Sequence, residues 1–231
     1  MTRVQSTLRV PAELLPQIDL AWRAAAGRPG VCLFDGEMCR LENVRLVGSG
    51  LELSISPTRY RFFMGTNMSH PEWLAQYGPQ VMANPVGLSA ALLSDDHWLM
   101  MGRRNARVAY HPNRIHPFAG SMDFHDAVDL FAEVRRELHE ELALDAQHLG
   151  ELTCVGMVRD PQLRQPEFVV RVRCRLSREQ IERRLDTAEH RGIVAVRADQ
   201  KGLTEALAQE LLTPVAVGVL QRLIELAAEA R

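Results

Sequence analysis

Three glutamates, Glu137, Glu140 and Glu141, stand at i, i+3 and i+4, a spacing that sends side chains off one side of a helix. Carboxylates this close repel one another unless a cation sits among them. Hard divalent ions such as Mg²⁺ take oxygen ligands of that kind. The plainer reading is a solvated face, in which Arg136 pairs with Glu140 and Arg135 with His139 or Glu141. Both readings need a helix, and residues 126–144, DAVDLFAEVRRELHEELAL, supply one. Leu130, Phe131, Val134, Leu138 and Leu142 recur at steps of one, three and four, forming an apolar stripe. Asp126 is placed to cap the first turn, and Glu133 lies one turn before the glutamate group on a similar heading.

The string Arg136-Glu137-Leu138-His139-Glu140-Glu141-Leu142-Ala143-Leu144 resembles the second half of the Nudix box, R-E-U-x-E-E-x-G-U, with U a bulky aliphatic residue. Ala143 in place of glycine is its one departure. The resemblance implies a loop-helix-loop that holds Mg²⁺ or Mn²⁺, and a hydrolase that cleaves a nucleoside diphosphate linked to another group. It makes Glu137, Glu140 and Glu141 metal ligands, one of them or a carboxylate from elsewhere the general base, and Arg136 the residue that orients a glutamate by a salt bridge. Glu167, at the start of a downstream strand, is a further candidate metal or base carboxylate.

The first half of the box is altered. Where the family has G-x5-E-x7 before the arginine, this chain has Met122 and Val128. The nearest glycine is Gly120, and residues 116–123 read as a longer version of the family's P-G-G loop. Gly120 there lets backbone amides approach a diphosphate. Asp123, Asp126 or Asp129 stands in for the missing glutamate. The family glycine at the Ala143 position ends the helix in a left-handed conformation; alanine either keeps it at a cost of about 1 kcal/mol or lets the helix run on. Arg103 and Arg104 are candidate phosphate contacts or ordinary structural arginines. His111, His116 and His125 flank the glycine loop as hydrogen-bonding residues.

Several scattered features narrow the resemblance: an N-terminal sheet, Tyr60 with Gly65-Thr66-Asn67, a strand ending Gly102-Arg103-Arg104, and the altered box. Together they are similar to the atypical Nudix branch that hydrolyses UDP-glucose and UDP-galactose to UMP and a sugar 1-phosphate. Thr66 and Asn67 then become candidate substrate contacts, against the alternative of a turn capping a helix. A different class of function, a catalytically inactive Nudix-like nucleotide sensor, is consistent with the altered half-box. A third reading is an unrelated domain with an acidic helix.

The chain of 231 residues is 46% hydrophobic and 24% charged, with a net charge of −2. That balance excludes nucleic acid and anionic membrane as main partners and leaves a small nucleoside diphosphate. Arginine greatly outnumbers lysine, which suits phosphate recognition. Cys32, Cys39, Cys154 and Cys174 lie in apolar runs without C-x-x-C spacing, so they read as buried thiols. No secretory signal or membrane span is legible, and the expected location is cytoplasmic.

The positioning elements follow from pattern. Residues 1–84 predict a small β-rich extension: a strand over Leu8–Val10, a helix over Pro11–Ala26, a hairpin from Val31–Phe34 through Asp35-Gly36 to Glu37–Leu41, and a second hairpin through Gly48-Ser49-Gly50. Asn84-Pro85 marks the boundary. Residues 85–231 predict strands, the carboxylate helix, further strands and closing helices. This is an α+β class that agrees with the Nudix fold, an α/β/α sandwich with a mixed sheet. The last helix, from Pro214, is apolar enough to pack on the core or across a homodimer.

Overall fold

Residues 43–46 and 51–56 alternate apolar and polar side chains, as a half-buried strand requires, and each lies within a long strand. In the computed structural model, which describes residues 1–28, 33–48, 50–108, 110–125 and 127–229, the chain forms two compact units. The first comprises Met1–Gly87, Ser121–Asp129 and Arg159–Pro166; the second comprises Leu88–Gly120, Leu130–Val158 and Glu167–Arg231.

The first unit holds β1 (Thr2–Arg3), α1 (Leu15–Ala26), β2 (Glu37–Val47), β3 (Gly50–Arg59), α2 (Tyr60–Phe63) and α3 (Trp73–Tyr77). β2 and β3 are an antiparallel hairpin with a bulge at Leu41/Asn43, and β1 runs parallel to β3. Ile18 of α1 is buried with Leu14, Trp73, Val81 and Met82. After α2 the chain continues as a wide helical turn, Met64–Met68. Gly65 is required there, because a Cβ would overlap Ile18.

The second unit is built on a six-stranded sheet in the order β7-β8-β4-β6-β5-β9. Its strands are β4 (Gly87–Leu93), β5 (Trp98–Arg104), β6 (Ile115–Ser121), β7 (Leu149–Arg159), β8 (Pro166–Cys174) and β9 (His190–Arg197). β5 is antiparallel to β4, β6 and β9. The helices are α4 (Leu130–Leu142), α5 (Arg178–Glu182), α6 (Gln200–Ala206) and α7 (Pro214–Glu229). Leu99 and Met101 of β5 pack with Leu203 of α6 and Val215, Val219 and Leu220 of α7. Alternation sends Met100 and Gly102 to the other face, where Gly102 meets His190 and α4 lays its glutamates. Helices on both faces of the sheet bear out the expected α+β sandwich, with a separate small sheet ahead of it. The last helix belongs to the core of this unit. No helix of the described residues is long and apolar enough to cross a membrane.

Several local expectations change. Leu8–Val10 is not a strand, and the strand before α1 is Thr2–Arg3. Val31 and Cys32 lie outside the described residues; Leu33 to Gly36 are not strand, and Glu37 instead begins β2. The Gly65-Thr66-Asn67 turn is helical: Gly65 packs against Ile18, and the Thr66 hydroxyl donates back to Phe62 O (2.7 Å), a bond that fits a helix. Residues 113–121, open between loop and short strand by sequence, hold β6, since pairing with β5 satisfies their backbone; the P-G-G loop expected around Gly120 is therefore a strand. The carboxylate helix begins at Leu130, not at Asp126, which lies outside the described residues.

Candidate active site

Helix α4 carries the glutamates, and its stripe fixes which of them turn inward. Leu130, Val134, Leu138 and Leu142 are buried, and with them Glu133 and Glu141. Glu137 is largely buried and Glu140 is exposed. Arg136 is the hub. Its Nε and Nη2 donate to Glu133 Oε2 (3.1 and 3.0 Å), Nη2 to Glu137 Oε1 (2.7 Å), and Nη1 to both oxygens of Glu140 (3.1 and 3.0 Å). A guanidinium offers five donors in a planar fork, so it can serve three carboxylates at once. Burial pushes the Glu137 carboxyl up to about 8, against Arg136 and with help from Glu141, Glu140 and Glu189.

Glu141 takes a different direction from Glu140. Its Oε1 lies 2.7 Å from His190 Nε2, a residue at the start of β9 that sequence reasoning did not single out. The only sequence signal was a histidine opening an apolar strand. Burial, with Arg104 adding to it, lowers the His190 pKa to about 4 although Glu189 opposes. At neutral pH the imidazole is therefore neutral, and Nε2–H donates to the Glu141 carboxylate. Phe118 meets the ring edge-to-face at 5.1 Å. Two glycines clear the sheet surface for these groups: a Cβ on Gly102 would overlap the His190 ring, and one on Gly120 would overlap the Glu137 carboxylate. Gly120 is thus a strand residue facing a box glutamate, and not the tip of a loop.

The helix ends where the family glycine would end it. Ala143 has φ +48, so the left-handed conformation is kept and the helix does not run on. Ala143 N–H bonds His139 O and Leu144 N–H bonds Leu138 O.

The other candidates are placed as follows. Glu167 is buried in the second unit and accepts from Ser89 Oγ at 2.6 Å. Arg104 is buried, donates to Tyr110 O and lies over the Tyr110 ring, which is a structural arrangement. Arg103 is half-buried. His116 is buried against Thr213 Oγ1 (2.9 Å); burial holds it well below the usual histidine range, with Arg104, His111 and His190 adding to that. Thr66 and Asn67 are buried in the first unit. There they accept the N–H groups of Ala83 and Asn84, and Asn67 Nδ2 donates to Leu163 O. Asn67 also lines a cleft of about 460 Å³ with Arg40, Glu42, Asn84, Arg159 and Arg164. Cys39 and Cys174 are buried, Cys154 partly so, and Cys32 lies outside the described residues.

Among the described residues no three histidine, cysteine, aspartate or glutamate side chains already converge as a metal cage. The donor chemistry nonetheless fits a hard divalent cation. The donors are carboxylate oxygens, and Glu137 is buried among like charges that a cation would offset.

The helix motif and the sheet beneath it are of the kind found in Nudix hydrolases, and the resemblance is borne out by curated relatives. These are the uridine diphosphate glucose pyrophosphatases NUDT22 of human and mouse. The human protein is 30% identical over 185 residues, covering 64% of this chain and 59% of that protein; the mouse protein is 30% identical over 154 residues, covering 54% and 50%. The chain thus spans between half and three fifths of the length of these relatives. No protein-family model matches it. Among solved structures, a mutT/nudix family protein from Listeria innocua is 18% identical, covering 64% of this chain and 96% of that one, with a TM-score of 0.49.

Proposed function

We propose that this chain is a metal-dependent pyrophosphohydrolase acting on a nucleoside diphosphate linked to another group, with a UDP-sugar as substrate and UMP and a sugar 1-phosphate as products. The observation that carries the reading is the near-complete R-E-L-H-E-E-L half-box on α4 with Glu137 largely buried over Gly120. The similarity to proteins named uridine diphosphate glucose pyrophosphatase supports the substrate class.

In this reading Glu137, Glu140 and Glu141 hold Mg²⁺ or Mn²⁺, with Glu167 as a further carboxylate. When bound, such an ion neutralises diphosphate charge and lowers the pKa of a water. Arg136 sets the positions of Glu137 and Glu140, the side chains that would hold the ion together with Glu141. Water attacks one phosphorus, the bridging P–O bond breaks, and the water's proton passes to a carboxylate of the group. Arg103 is the remaining arginine candidate for phosphate, and Thr66 and Asn67, the latter lining a cleft of the first unit, stay candidate substrate contacts.

The test is UMP release from UDP-glucose with Mg²⁺ or Mn²⁺, before and after chelation, for the wild type and Glu140→Gln. Metal-dependent release that Glu140→Gln abolishes is expected. Release from ADP-ribose in its place moves the substrate. Tight nucleotide binding without turnover, unchanged by Glu140→Gln, replaces the reading with an inactive sensor.

A further inference from the structure

We propose that His190 is a positioning residue that holds the Glu141 carboxylate in place beneath helix α4, and that Gly102 is bare so that the imidazole can reach it. The inference rests on Glu141 belonging to the metal-binding group proposed above.

Four observations carry it. His190 is fully buried and its Nε2 lies 2.7 Å from Glu141 Oε1, so one of the carboxylate's oxygens has a fixed donor. The ring is held on two sides: Phe118 stands edge-to-face against it, and the Gly102 backbone lies so close that a Cβ would overlap Nδ1, Cε1 and Cγ. His190 Nδ1 is buried with no hydrogen-bond partner among the described residues. An unmatched buried ring nitrogen is unfavourable, a penalty a purely space-filling residue would avoid. Finally, Glu141 lies next to Glu140 on the helix, yet it is turned inward and buried while Glu140 is exposed. Its position therefore depends on the sheet.

The arrangement has a plain consequence. A metal-binding carboxylate that swings freely must be ordered when the ion arrives, whereas one already hydrogen-bonded from behind is not. Outer partners of this kind change metal affinity by about 10–100-fold when removed.

Two substitutions separate the donor from the packing. His190→Phe keeps a flat ring against Phe118 and Gly102 but has no N–H. His190→Gln places an amide N–H near the Nε2 position. The full-length chain is assayed for Mn²⁺ affinity by water-proton relaxation, for kcat and KM with UDP-glucose, and for folding by thermal midpoint. Mn²⁺ affinity about 10–100-fold weaker in His190→Phe is expected, with kcat falling and KM nearly unchanged. His190→Gln is expected to recover most of both. In ¹⁵N-resolved NMR of the wild type, His190 is expected as the neutral tautomer protonated on Nε2, its proton far downfield and shifted by Glu141→Gln. Wild-type Mn²⁺ affinity in a folded His190→Phe, or a His190 protonated on Nδ1, overturns the inference. If the wild type binds Mn²⁺ but releases no UMP, the proposed reaction fails while the metal and NMR comparisons still decide the role of His190. If it binds no Mn²⁺, both fail.

Discussion

Ala143 offers a test of how the helix end is stabilised. It sits just past α4 with φ +48, in the left-handed region where an L side chain costs about 1–2 kcal/mol relative to glycine. Its side chain is exposed, so removing the methyl group forfeits almost no buried area. Glycine carries an opposing penalty of about 0.4–1 kcal/mol, because it enlarges the unfolded ensemble. The difference is a net stabilisation of about 0.5–1 kcal/mol for Ala143→Gly. For a chain of this size, 1 kcal/mol moves the thermal midpoint by about 2–4 °C, so a rise of about 1–4 °C is expected by differential scanning fluorimetry. Ala143→Val, β-branched and less tolerant of positive φ, should lower the midpoint. A fall with glycine, or a rise with valine, would refute the left-handed cap and restore the alternative of a helix that continues. The kinetic constants for UDP-glucose should be unchanged in Ala143→Gly, since the carboxylates are fixed by Arg136 and His190 and not by the cap.

Three further outcomes follow from particular contacts. Glu42 has its folded pKa lowered to about 2: burial pushes it up, but hydrogen bonds from Arg40, Ser56 and Thr7 outweigh burial. Its contribution, on the order of 3 kcal/mol from the size of the shift, is present above about pH 4.5 and is lost as pH falls towards 2; urea melts at pH 7 and pH 3 should differ less in Glu42→Gln than in the wild type. Gly120→Ala drives a Cβ into the Glu137 carboxylate; overpacking of about 1–3 kcal/mol is expected, and Mn²⁺ affinity and UMP release should fall together, as relaxation titration and a coupled UMP assay would show. Thr66→Val removes the acceptor of the Ala83 N–H and should cost about 1–3 kcal/mol, read as a lower urea midpoint; no loss would mean that the hydroxyl serves a ligand and not the fold.

Sequence alone determined what depends on neighbours along the chain. The amphipathic stripe of α4, the i, i+3, i+4 glutamates, the β2–β3 hairpin and the Thr213-Pro214 start of α7 are local patterns, because backbone period and turn chemistry act over a few residues. The same locality left the 113–121 segment open between loop and short strand: residues 115–121, Ile-His-Pro-Phe-Ala-Gly-Ser, become a strand only through pairing with β5, and pairing is a contact between residues apart in the chain. Residues 65–67 read as a turn because glycine and asparagine favour one. Packing of Gly65 on Ile18, a contact between residues far apart along the chain, accompanies a helical conformation instead.

The division of labour among the glutamates was likewise a tertiary matter. Sequence sends Glu137, Glu140 and Glu141 off the helix together, and it names Arg136 as a partner. Only the sheet decides that Glu141 turns to His190, that Glu137 is buried over Gly120, and that Arg104 is spent on Tyr110. The physical reason is that a charge's partner and its degree of burial depend on what lies across space. His190 is 49 residues from Glu141 along the chain, and no periodicity links the two.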